Sequence, residues 1–195
     1  MRAGVAKVEV TPEHAVDLGG FRVRQQPMTG VLDPLFVRTV AFEDSRGRRA
    51  ALAVADNLGV DCQTLQTIRE EAQARFGLDA SEVHVAATHT HSAPCVARLR
   101  DCGEPDPAYV RSFVQRTVES MGLALAALRP VRFAVSRSEA SLALDRRLRD
   151  KRIERPPQLD PEALTLWLYE SDPAQPFAAV VNFACHAVVL RGRLV

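Results

Sequence analysis

No apolar run in the 195-residue chain approaches the roughly 20 residues needed to cross a bilayer. The opening "MRAGVAKVEVTPEH" also lacks the apolar core of roughly 7–15 residues that marks a secretory signal. A soluble, cytoplasmic chain without a membrane span is the expectation. An excess of one charge is missing too: 25 Lys and Arg meet 24 Asp and Glu, for a net charge of +1 and a pI near 7.8. Such a chain has no field with which to gather nucleic acid or an anionic membrane, so neither is an expected partner. Its four cysteines, Cys62, Cys95, Cys102 and Cys185, form no C-x-x-C pair, and without an export signal they read as reduced thiols rather than a disulfide framework. Aromatic residues make up only 6%, which gives no independent sign of a lipid groove. The absence of any repeat with a period of roughly 20–50 residues excludes solenoids and arrays.

What is present is an alternation of β-branched runs with amphipathic stretches. Strands are expected near Val5–Val10, Phe36–Phe42, Ala51–Ala55, Val83–Ala87, Val131–Ser136, Leu164–Tyr169 and Ala178–Phe183. Leu65, Ile68, Ala72 and Phe76 recur at helical spacing before a capping Gly77, and a second helix spans about Pro107–Leu128 with Val110, Phe113, Val114, Val118, Met121 and Leu125 on one face. The expectation is an α/β fold, a layered mixed β-sheet flanked by amphipathic helices, with residues 1–195 forming a single domain. Residues 137–162, rich in Arg, Asp, Glu and Pro, read as a solvated connection. The apolar "NFACHAVVL" implies a strand buried on both faces, yet only "RGRLV" follows it, so the layer is expected to be incomplete at its C-terminus and prone to self-association.

The chemistry-bearing residues collect at strand ends, where ligands bind in α/β sheets. In "AATHTHSAP", residues 86–94, His89 and His91 are two apart; on a strand they share a face and converge on one point. His186 ends another apolar run. Neutral imidazole is the commonest metal ligand, and zinc with three protein ligands is the usual hydrolytic arrangement. Asp56, after the strand "ALAVAD", is placed to orient a histidine or to ligate, or else to cap a turn. Arg146 offers a guanidinium fork to a substrate oxygen, although composition alone reads it as surface. His14 and His84 read as structural or surface residues.

The ordered elements "AGVAKVEVTP", "LGGF", "GVLDPLFVRTVAFED", "AALAVAD", "ATHTHSAP", an Asp-Arg pair at 145–146 and "NFACHAVV" resemble the N-terminal catalytic domain of the neutral/alkaline non-lysosomal ceramidases. The resemblance implies a zinc-dependent amidohydrolase that hydrolyses the amide of N-acyl-sphingosine, or a related lipid amide, through a zinc-activated water. It makes His89 and His186 zinc ligands, His91 a substrate-facing acid or base, and Arg146 the active-site arginine. The chain departs from the family pattern at Leu32, where a histidine is common, at Asp145, where an Asn precedes the arginine, and at Cys185 and Ala187 beside His186. The family's glutamate and tyrosine ligands fall beyond residue 195, so the resemblance implies a truncated domain with an incomplete ligand set. Two other readings stand beside it: an inactive or oligomerising homologue, and a zinc hydrolase of another class that holds its metal on His89, His91 and Asp56.

Overall fold

The computed structural model describes residues 1–22, 24, 26–100, 102–149, 154–170 and 174–188. They fall into two compact units, one of the described residues within 1–130 together with 187–188, the other of those within 131–186.

The first unit is built on a five-stranded mixed sheet. Strands β1 (Arg2–Glu9), β2 (Phe36–Glu43) and β3 (Arg49–Ala55) pair antiparallel in sequence order, and β4 (Val83–Ala87) joins β3 in parallel. The two-residue β5 (Arg129–Pro130) closes the other edge against β1. Proline there is tolerated because an edge strand needs no donor on its outer side. β1 starts three residues earlier than its apolar run suggests, because Arg2 pairs with Glu43 across the ladder at 2.8 Å.

Helix α1 (Cys62–Phe76) carries the chain from β3 to β4. Its first turn is capped by Asp61, whose carboxylate accepts from the Thr64 amide at 2.8 Å, and it ends at Gly77 in the left-handed conformation, as its spacing predicts. Helix α2 (Pro107–Ala126) begins at an Asp106 cap and lies on β1 and β2. At Gly4 any Cβ would strike the α2 backbone at Ala124, so glycine permits the close approach of helix and strand. Ile68, Ala72, Val83, Phe113, Val118 and Met121 fill the space between helices and sheet, and the buried hydroxyls of Thr39 and Ser120 satisfy each other through a 2.7 Å hydrogen bond.

The second unit is a three-stranded antiparallel sheet, β6 (Arg132–Glu139), β7 (Glu162–Tyr169) and β8 (Pro176–Phe183), with β7 central. Thr165 and Leu168 of β7 are buried, whereas β6 is exposed along its whole length. "NFACHAVVL" therefore does not run as a strand buried on both faces: β8 ends at Phe183 and is an edge strand whose Val181 faces solvent. Val189 onward, including "RGRLV", lies outside the described residues.

The segment read as a solvated connection contributes Arg137–Glu139 to β6 and Glu162 to β7. Its Asp145 is buried and accepts from Arg155 at 2.8 Å and from the backbone amides of Arg147 and Gln158. Burial alone would raise this carboxyl, but Arg155 and the two amides outweigh it and hold it down at about 2.

Candidate metal centre

Past their last ladder pair, Ala55 and Ala87, β3 and β4 stay in register through two more bonds. The Thr88 amide donates to the Ala55 carbonyl and the Thr90 amide to the Asn57 carbonyl, both at 3.0 Å. Residues 88–90 thus run along a backbone rail formed by residues 55–58. His89 sits on that rail with φ of 60°, the one positive φ outside glycine among the described residues. Strain of this kind costs on the order of 1–3 kcal/mol and persists where surrounding bonds over-determine the backbone. Alternation along a strand is consequently not what brings the two histidines together. The turn at His89 does so, leaving the His89 and His91 rings edge to face with centroids 4.8 Å apart.

Each of these rings has one nitrogen on a backbone carbonyl. Nδ1 of His89 meets the Leu58 oxygen at 2.7 Å, and Nδ1 of His91 meets the Gly20 oxygen at 3.0 Å. A carbonyl cannot donate, so Nδ1 carries the proton and Nε2 keeps its lone pair, the arrangement that a metal-binding or proton-accepting imidazole needs. Gly20 has φ of 104°, and a Cβ there would overlap the His91 ring, so only glycine lets its carbonyl reach Nδ1. The Phe21 ring stands edge-on to His91 at 5.2 Å.

Arg24 completes this wall. Its guanidinium donates to the His91 carbonyl from both Nη atoms and to the Gly19 carbonyl, each at 3.3 Å. Burial pulls the guanidinium below its ordinary value, a pull that Cys95 opposes. Nothing in the spacing of residues 17–24 marks them as partners of the histidine loop. They become so through the bridge between Leu18 and Pro94 and the bonds from the Gly19 amide to the Ala93 carbonyl and the Cys95 amide to the Asp17 carbonyl.

His89 and His91 stand together in the first unit, while His186, exposed, lies in the second just past β8. Neutral imidazoles suit zinc, copper, iron or nickel. Asp56 has its carboxylate on β2, accepting from the Phe36 amide at 3.0 Å and from Arg38 at 2.7 Å; the helix cap is Asp61 instead. Arg146 opens a short 3-10 helix (Arg146–Arg149) and is exposed. His14 pairs with Asp106 at 3.4 Å near the surface. All four cysteines are free; the Cys95 thiol donates to the Cys102 carbonyl at 2.9 Å, and burial pushes it up to about 11, so it stays protonated and is no ready metal ligand. No helix among the described residues is long and apolar enough to cross a membrane.

No family model matches the chain. The neutral ceramidases of Drosophila pseudoobscura pseudoobscura and Drosophila melanogaster are each 28% identical to it over 96 residues, 48% of this chain and 14% of theirs. The crystal structure of neutral ceramidase from Pseudomonas aeruginosa matches the fold with a TM-score of 0.83 at 23% identity, over 95% of this chain and 32% of that one. A ceramidase complexed with C2 gives 0.84 at 23% identity, over 95% and 31%. The chain thus spans 14% of the length of these curated relatives and about a third of the solved ones. The resemblance carried by the ordered motifs is borne out in sequence and in fold, and so is the layered α/β class.

Proposed function

We propose that this chain, similar to the neutral ceramidases along its ordered motifs, supplies the histidine part of a zinc-dependent amidohydrolase site acting on an N-acyl-sphingosine or a related lipid amide. Residues 1–195 are read as the N-terminal part of one catalytic domain. The observation that carries the proposal is the pair of imidazoles His89 and His91, edge to face with centroids 4.8 Å apart and each with Nδ1 on a backbone carbonyl. When bound, zinc supplies Lewis acidity: it polarises an amide carbonyl and brings the pKa of a coordinated water from about 15.7 to near 7.

The residues divide the remaining work. His89 and His186 hold the ion through ring nitrogens, His89 with its Nε2. His91, protonated at Nδ1, accepts a proton at Nε2 and returns it to the departing amine. Arg146 binds a substrate oxygen through its guanidinium fork. Asp56 steadies the end of β3, and with it the Leu58 carbonyl that orients His89. The closeness of the His89 and His91 rings favours one variant of this reading, in which His91 is a third ligand.

The test is zinc content after reconstitution together with hydrolysis of a short-chain N-acyl-sphingosine. About one zinc per chain is expected, with zinc and turnover both lost in His89→Ala and His186→Ala. His91→Ala losing turnover but keeping zinc supports the acid/base role, and losing both supports the ligand role. A wild-type chain that retains less than about 0.2 zinc overturns the proposal.

A further inference from the structure

We infer that Arg24 is a positioning residue for His91, acting through the peptide carbonyl at position 91 and not through substrate. The inference rests on the reading of His91 as a member of the site. Two N–H groups of one guanidinium converge on the His91 oxygen at 3.3 Å, while the same fork reaches the Gly19 oxygen at 3.3 Å and the Ser92 hydroxyl at 3.5 Å. Its guanidinium carbon lies 5.3 Å from the Phe21 ring centroid, and its own amide donates to the Phe21 carbonyl at 3.0 Å.

Those contacts tie both sides of the His91 ring to one group. Residues 19–21 carry the Gly20 carbonyl and the Phe21 ring that orient the imidazole, and residues 91–92 carry the imidazole itself. A planar fork can bridge the two segments at fixed separation; a lysine ammonium carries the same charge without that geometry. Weakening the bridge lets the segments move apart, and the bond from His91 Nδ1 to the Gly20 oxygen is the first to lengthen. Once that carbonyl no longer selects the proton, imidazole populates both neutral tautomers, and Nε2 ceases to be a dedicated lone-pair donor.

The experiment compares wild type with Arg24→Lys and Arg24→Gln by long-range proton–nitrogen spectra of 15N-histidine-labelled, metal-free protein at mildly alkaline pH, the His91 signal being assigned from His91→Gln. Wild type is expected to show His91 as the Nδ1–H tautomer alone, and both Arg24 variants a mixture. In the hydrolysis assay the variants should be about 10–100-fold slower with little change in KM. A single Nδ1–H tautomer that survives in both variants overturns the inference, and so does a wild type without it. Should Arg24→Gln fail to fold, Arg24→Lys decides alone. A wild type with no hydrolysis at all counts against the proposed function, while the tautomer spectra still judge Arg24.

Discussion

Phe113 in the first unit is 1% exposed and Phe133 in the second is 54% exposed, although each belongs to an element with an apolar pattern. The difference lies in what covers them. Phe113 projects from a helix that lies on a sheet, so both layers surround it; Phe133 stands on an edge strand of a three-stranded sheet whose outer strands have a neighbour on one side only. The candidate site residues divide the same way. His89 and His91 are held by a strained turn, two ladder-like bonds and two ring-to-carbonyl bonds, all within the layered unit. Arg146 and His186 are exposed in the other unit, the first on a short 3-10 helix and the second past the end of β8. A costly φ at His89 is affordable only in a layered surrounding of that kind.

The largest expected break in this contrast is Phe113→Ala, which should cost about 3–5 kcal/mol, while Phe133→Ala should stay within about 0.5 kcal/mol of wild type. Urea unfolding followed by two probes separates the units, because α1 and α2 lie in residues 1–130 and the only tryptophan in the sequence, Trp167, lies on β7. The first substitution should move the helical circular-dichroism transition; equal costs for the two substitutions would erase the contrast. A smaller effect, about 1 kcal/mol and again visible in circular dichroism, is expected for Asp61→Ala, which removes the α1 cap.

The smallest effect belongs to the second unit and is confined to acid. Asp145 is held at about 2, below the roughly 3.9 of an unfolded aspartate, so its contribution is full above that unfolded value and fades as pH falls toward 2. Trp167 fluorescence should report this loss in wild type and not in Asp145→Asn. An unchanged acid profile in the variant would show that the Arg155 contact contributes nothing.

Much of the fold was legible because it rests on periodicity. Val83–Ala87 matches β4 residue for residue, and the Gly77 cap follows from glycine's freedom in the left-handed region. The burial of β8 was not legible: a continuous apolar run is the same in a central strand and at an edge, and only pairing distinguishes them. The His-Thr-His triplet does bring two imidazoles together, but not by the alternation expected of it, since period-2 reasoning assumes extended backbone and His89 is left-handed. Arg24 gave no usable signal, and Gly20 appeared only within the "LGGF" motif, without a role. Their role depends on a contact across some 70 positions with residues 91–92, and local spacing carries no record of such a pairing.

The most direct test of the account is zinc K-edge absorption of the reconstituted chain. The account predicts about one zinc per chain with nitrogen scatterers near 2.0–2.1 Å, an outer-shell imidazole pattern, and a weaker pattern in His89→Ala. Zinc surrounded by oxygen alone, or an imidazole pattern that His89→Ala leaves unchanged, would contradict it.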